Sequence, residues 1–283
     1  MSDIRTDMLR INTPVEHHSE LGLLVKREDL ACFHPGPQFS KTRGVFAHIR
    51  KMACSRPELK VFGALDTYHS QAGHAVARAC QLLGLDSVTF YPEYVREPGP
   101  RLPQKRAQNL GTRLVGIPAG RSAVLYHGAK AKLAKEYGEA GYMMPNALKL
   151  QESVDETARE VSGSCLKADV VVIPVSSATI ASGVIKGFLE RGRKPRFILH
   201  MGYSRSKDSV MAYVKKRVGC DTLPPISLVD EGYEYKQKAR EGYDPPFPCS
   251  PYYDLKAFRW WMTLGKAVTK VEAGDKVLMW NIG

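Results

Sequence analysis

Short β-branched runs alternate with amphipathic stretches along most of the chain. The pattern predicts strands at Val61–Leu65, Ser87–Tyr91, Arg113–Ile117, Asp169–Val175, Arg196–Met201 and Lys276–Trp280. Helical spacing of apolar residues marks Lys41–Met52, Ser70–Leu83, Ser122–Gly138, Thr179–Arg191 and Tyr253–Val271. Val170–Val175 is apolar throughout instead of alternating, the signature of a strand covered on both faces. Strand–helix alternation of this kind predicts an α/β fold built on open, mostly parallel sheets flanked by helices. The proline-rich piece Asp244–Pro251 reads as a rigid loop.

Composition narrows the class. The 283 residues are 43% hydrophobic and 9% aromatic, which is ordinary globular composition and not that of a disordered chain. No apolar run approaches the roughly 20 residues of a membrane helix, so no membrane partner is expected. Met1 to Arg10 has no apolar segment of the secretory kind, so a cytoplasmic protein is expected (the host's cytoplasm for a viral chain). Cys32, Cys54, Cys80, Cys165, Cys220 and Cys249 are too widely spaced for a zinc-ligand pattern and read as reduced, incidental thiols. His17 and His18 are adjacent and read as surface residues, and no metal site is expected. The chain has no G-x-S-x-G elbow, Walker loop, H-E-x-x-H or G-x-G-x-x-G. Its 41 Lys+Arg against 29 Asp+Glu give a net charge of +12, which allows either simple solubility or a polyanionic partner.

Four stretches far apart in sequence carry candidate chemistry. In the first, Lys26, Arg27, Glu28 and Asp29 read alone as a solvated charge run, and Lys41 as a helix-start lysine. In the second, Asp66 to Gln71 follows a strand and opens a helix of small residues, a place suited to an anion, with Ser70 alternatively a plain cap. In the third, the buried strand to Val175 runs through Ser176, Ser177, Ala178 and Thr179 into a helix, a turn able to offer backbone N–H groups to a phosphate. The fourth joins Pro251–Ala257 to Gly274–Gly283 near the end of the chain.

Taken together, Thr13-Pro14-Val15, Lys26-Arg27-Glu28-Asp29-Leu30 and Ser40-Lys41-Thr42-Arg43-Gly44 resemble the opening motifs of the fold type II, tryptophan-synthase-β-like pyridoxal-phosphate enzymes. The last stretch is similar to the aminocyclopropane-carboxylate deaminase and D-cysteine desulfhydrase branch. The resemblance implies two domains, one of residues 45–150 and one of residues 1–44 with 151–283, and a homodimer. It also implies that Lys41 forms a Schiff base with pyridoxal 5'-phosphate, chemistry that requires a primary amine. Ser176, Ser177, Ala178 and Thr179 stand at the family's glycine-rich phosphate cup. Asp254 stands where the deaminases place an acid against the pyridine nitrogen, and His69 near the position of a cofactor-touching Asn. Thr67, His69 and Ser70 stand in the substrate-carboxylate loop, while Tyr253, with Tyr233 or Tyr235, stands for the tyrosines near the substrate. Catalytic roles are implied for Lys41, Tyr253 and Asp254.

The positive charge is clustered. Lys186–Arg217 holds ten basic residues against Glu190 and Asp208. Arg191, Arg193, Lys194, Arg205, Lys207, Lys215, Lys216 and Arg217 are expected to form a nucleic-acid face. A second group is Arg96, Arg101, Lys105, Arg106 and Arg113. Tyr91, Tyr94, Tyr126, Tyr203 and Tyr213 lie among the basic stretches, where a flipped base can stack. In character the chain resembles pyridoxal-phosphate enzymes of bacteriophage DNA hypermodification, which trim amino acids already attached to a modified thymine. The first expectation is therefore a lyase that decarboxylates, or eliminates from, Cα of a DNA-linked amino acid. The alternatives are a deaminase or desulfhydrase of a free small amino acid, and an inactive nucleic-acid-binding protein on the same scaffold.

Overall fold

A computed structural model describes residues 9–164, 166–220 and 222–283. In chain order the elements are β1 (Val15–His18), β2 (Leu23–Arg27), α1 (Thr42–Ser55), β3 (Val61–Leu65), α2 (Ala72–Leu83), β4 (Asp86–Glu93), α3 (Leu102–Gln108) and β5 (Arg113–Pro118). Then follow α4 (Ser122–Tyr137), β6 (Gly141–Met143), α5 (Gln151–Gly163), β7 (Val170–Val175), α6 (Thr179–Glu190), β8 (Arg196–Met201), α7 (Lys207–Val218), β9 (Ile226–Val229), α8 (Asp254–Trp260) and β10 (Val277–Asn281). All six predicted strands form. The four that sequence reading missed, β1, β2, β6 and β9, are only three to five residues long and lack a clear apolar period.

The chain divides into two compact units. The first includes Cys32–Pro37 and Lys41–Glu152, and the second Arg10–Ala31, Gln38–Ser40 and Ser153–Gly283. Residues 32–37 and 41–44, expected with the chain ends, thus pack with the first unit. That unit holds a four-stranded, all-parallel sheet in the order β5-β4-β3-β6. The second holds a six-stranded sheet in the order β1-β2-β10-β7-β8-β9, parallel except for the β1–β2 pair.

β7 explains its own sequence. Val171, Ile173 and Val175 pack into one cluster with Ile185 and Phe188 of α6 and Val210 of α7. Val170 and Val172 pack into another with Phe258 of α8 and Trp261. Both faces are covered, so no polar alternation is possible. In both sheets the connections after parallel strands leave from the same edge, the one where open α/β folds bind ligands.

One expectation from charge is corrected. Lys26, Arg27, Glu28 and Asp29 are buried, not solvated. Lys26 Nζ donates to Glu160 Oε1 at 2.5 Å, to the Thr13 carbonyl at 2.6 Å and to Ser164 Oγ at 2.8 Å. Thr13 gives its N–H to Glu160 at 2.7 Å and its hydroxyl to Glu28. Arg27 grips Asp29 with two hydrogen bonds of 2.9 and 2.8 Å and also reaches Glu16 at 2.5 Å. Lys26, Arg27 and Asp29 each have an opposite charge beside them, and Glu28 accepts the Thr13 hydroxyl, as burial requires.

Candidate active site

In the first unit, Lys41 directly precedes α1, and its Nζ donates to the Ala147 carbonyl at 2.7 Å. Ala147 and Leu148 both lie in the left-handed backbone region, at φ 56° and 48°. The side chain is buried. Burial, with the like charge of Lys149 adding to it, lowers its pKa to about 7. A share of the amine is therefore uncharged, and so nucleophilic, at neutral pH.

The loop from Asp66 to Gln71 leaves the β3 end of the same unit. Its anchor is Asp66, a residue to which the local sequence pattern assigns no role. Asp66 is fully buried and accepts hydrogen bonds from the Gly73 N–H at 2.7 Å and from Gln104 Nε2 at 3.0 Å. Desolvation raises its pKa to about 6. Gly73 is required here, since a Cβ would stand 2.4 Å from Thr89. Ser70 Oγ accepts from the Ala72 N–H at 3.1 Å and also bonds Asp66. Ser70 thus ties the loop to the start of α2. Thr67 and His69 are half-buried in that loop.

In the second unit, Ser176–Thr179 joins β7 to the N-terminus of α6. Ala178 is in the left-handed region at φ 64°, a conformation that favours glycine. Ser177 Oγ and Thr179 Oγ1 lie 2.9 Å apart, and Thr179 Oγ1 is 3.0 Å from the Tyr213 hydroxyl. The first turn of α6 has backbone N–H groups without intrahelical partners.

Asp254 starts α8 and is fully buried. Its Oδ1 accepts from the Ile282 N–H at 2.7 Å, while Oδ2 is buried with no hydrogen-bond partner among the described residues. Desolvation, reinforced by the nearby charge of Asp29, lifts its pKa to about 7. Tyr253 packs on Gly202, where a Cβ would come within 2.5 Å of the ring. The Tyr253 phenol bonds Ser176 and Tyr235, and desolvation raises its pKa well above the ordinary tyrosine value. Tyr235 meets Tyr203 edge to face at 5.1 Å. Tyr233 is placed differently: it is buried, with Lys256 Nζ 4.3 Å and the Arg240 guanidinium 4.8 Å from its ring centre. The ring of Tyr233 therefore lies against two cations.

The expected nucleic-acid face is not one face. Arg205 and Lys207 follow the C-terminal end of β8, at the sheet edge that carries the Ser176–Thr179 turn. Arg191, Arg193 and Lys194 precede β8, and Lys215, Lys216 and Arg217 end α7, so all six belong to the opposite edge. Of these, Arg191 is partly engaged with the Val161 carbonyl at 3.2 Å. Clustering in sequence hid the fact that one helix and one strand separate the two sets.

One α/β unit carries a desolvated lysine and the other a small-residue turn at a helix start and a buried acid; the sequence matches the family described as pyridoxal-phosphate dependent enzyme over residues 5–215. The chain belongs to that family. It is 47% identical over 286 residues to the glycyl-dTMP PLP-dependent decarboxylase of Pseudomonas phage M6, covering 98% of this chain and 100% of that protein. Among solved structures, an ACC deaminase homologue matches with a TM-score of 0.76 at 19% identity, covering 98% of this chain and 90% of the other. The processed form of threonine deaminase isoform 2 from Solanum lycopersicum matches with a TM-score of 0.67 at 17% identity, covering 98% and 84%. The expected fold type II architecture, cofactor and lyase class agree with these findings.

The residues present fit pyridoxal phosphate. The unpartnered Asp254 Oδ2 is a buried acceptor of the kind a protonated ring nitrogen satisfies. The Ser176–Thr179 turn offers hydroxyls and a helix N-terminus to a phosphate dianion. Lys41 supplies the amine. No helix among the described residues is long and apolar enough to cross a membrane. The described cysteines are all free thiols, while Cys165 lies outside the described residues.

Proposed function

We propose that this enzyme removes the carboxylate of a glycyl group carried on a thymine nucleotide of DNA. The observation that carries the reading is end-to-end identity of 47% with a phage protein named for glycyl-dTMP decarboxylation. Held by Lys41, the Ser176–Thr179 turn and Asp254, pyridoxal phosphate would supply an electron sink for the pair left on Cα when the carboxylate departs as carbon dioxide.

The protein's own groups are assigned as follows. Lys41 holds the cofactor and, with its pKa lowered to about 7, exchanges a proton with Cα near neutrality. Asp254 Oδ2 holds the proton on the ring nitrogen, because a carboxylate already buried gains most from a cationic partner. Ser176, Ser177, Ala178 and Thr179 bind the phosphate. Tyr253 keeps its proton throughout and acts as a hydrogen-bond donor, with Tyr235 beside it. Thr67 and His69 contact substrate, and His69 also contacts the cofactor. Arg205 and Lys207 bind DNA phosphates from the edge that carries the cup. A homodimer in the cytoplasm, the host's for a phage chain, completes the reading.

Mass analysis of nucleosides from glycyl-modified DNA tests it. The expected result is loss of one carbon dioxide per modified thymine. Unchanged nucleosides alongside turnover of free D-cysteine or aminocyclopropane carboxylate would overturn the assignment. Salt-sensitive DNA binding without any bound cofactor would instead favour an inactive nucleic-acid-binding protein.

A further inference from the structure

Four members of the second basic group, Arg96, Arg101, Lys105 and Arg106, lie on and just after a turn at the ligand edge of the first unit, while Arg113 starts β5 at the opposite edge and pairs with Glu136. β3 and β4 are adjacent and parallel, with Leu65 opposite Phe90. β4 continues to Glu93, three residues and roughly 10 Å past the end of β3. There the Glu97 N–H bonds the Tyr94 carbonyl at 3.2 Å, closing a β-turn with Val95 and Arg96 at its tip. Val95 is 98% exposed, more than any other large apolar residue among those described, and Leu102 nearby is 59% exposed. Arg96, Lys105 and Arg106 are exposed around them, with Glu93 and Glu97 as the acids of the same surface.

The turn is held rigidly. Pro98 and Pro100 flank Gly99, which takes φ 86°. The Arg101 guanidinium pairs with Glu97 and lies 4.0 Å over the Tyr68 ring and 5.4 Å from that of Tyr94. Buried Gln104 accepts from the Arg101 N–H at 2.8 Å and donates to Asp66 at 3.0 Å. The exposed tip is therefore braced directly against the loop that carries Thr67 and His69.

We propose that Val95, at the tip of this turn, is a wedge that enters the base stack of duplex DNA when the modified thymine is drawn out toward Lys41. The inference rests on the decarboxylase reading and deepens it by naming duplex DNA as the substrate. A glycyl group borne directly on a thymine lies within a few bonds of the ring. Bringing its Cα to a buried amine takes the ring out of the stack. The gap left behind is filled most cheaply by a rigid apolar side chain flanked by cations for the adjoining phosphates. Val95 between Tyr94 and Arg96, with Arg101, Lys105 and Arg106 behind, has that composition.

The test compares wild type and Val95→Ala on three substrates bearing the same glycyl-thymine: duplex, single strand and mononucleotide. Equal absorbance of bound cofactor in the two proteins controls for folding. The expected result is a fall of at least about tenfold in the ratio of duplex to single-strand turnover. Val95→Leu should restore the ratio. A 2-aminopurine placed beside the modified thymine should brighten with wild type and stay quenched with Val95→Ala. An unchanged ratio and an unchanged 2-aminopurine signal would overturn the wedge. So would wild-type turnover of the mononucleotide alone. A changed oligomeric mass for Val95→Asp would also overturn it, placing the turn in a subunit contact. If wild type turns over none of the three substrates, the decarboxylase reading fails by itself, and the 2-aminopurine signal still decides the wedge.

Discussion

Lys26 and Lys41 are both buried lysines, one in each unit, and their surroundings are opposite. Lys26 is saturated: a carboxylate, a carbonyl and a hydroxyl take its three protons. Lys41 meets a carbonyl and the like charge of Lys149, and burial lowers its pKa to about 7. A paired buried charge fixes structure, because removing either partner strands the other. A desolvated amine beside another cation is poised to lose its proton, and so to react. The family's opening motif thus contains a structural brace followed by a nucleophile, although both read as lysines in charged surroundings.

The largest effect expected is on activity. Lys41→Ala should abolish the cofactor's protein-linked absorbance and lower turnover at least about a thousandfold, because no other group supplies the reacting amine. Its melting temperature should stay near that of the apoprotein, since a desolvated amine facing a like charge is removed. Lys26→Met should show the reverse. Urea denaturation should report a loss of about 3–5 kcal/mol as Glu160 is left buried without its cation, while the folded fraction still binds cofactor. Equal destabilisation by both variants would erase the contrast.

Asp254→Asn comes next. Losing a hydrogen bond to a charged ring nitrogen should cost about 1.5–3 kcal/mol in the transition state, roughly ten- to a hundredfold in rate. It should also change apoprotein stability with a definite sign. The Asp254 pKa is raised to about 7 in the fold, so the folded state binds more protons than the unfolded one below that value. Its contribution to apoprotein stability should fall as pH rises from about 4 to about 7, and Asn at this position should flatten that slope. For Lys41 the sign concerns reactivity: attachment of cofactor to apoprotein should speed up as pH rises through about 7 and then level off. Smallest of all, Ala178→Gly should stabilise the protein by about 1 kcal/mol by relieving the left-handed Ala178.

Much of this was legible from residue order. Lys41, the Ser176–Thr179 turn and Asp254 stand on local strand–turn–helix patterns or motifs, which sequence displays directly. β7 announced its two covered faces by an unbroken apolar run. What stayed hidden depends on partners distant in the chain. The Lys26 run looks like surface until Glu160, 134 residues away, closes on it. Asp66 looks like an ordinary loop acid until Gln104 and Gly73 reach it. Tyr233 and Tyr235 differ by two positions, yet one is packed under Lys256 and the other meets Tyr253. The basic residues of 186–217 look contiguous only until helix and strand distribute them to opposite sheet edges.

Lys256 supplies a third buried lysine, bonded to the Gly202 carbonyl and lowered to about 8 by desolvation. This makes the assignment of the reacting amine a choice among three. Borohydride treatment of the purified holoenzyme, followed by peptide mapping, decides it. The account predicts the pyridoxyl group on the peptide containing Lys41 and on no other. Label on Lys26 or Lys256, or none at all in protein that carries the cofactor, would contradict it.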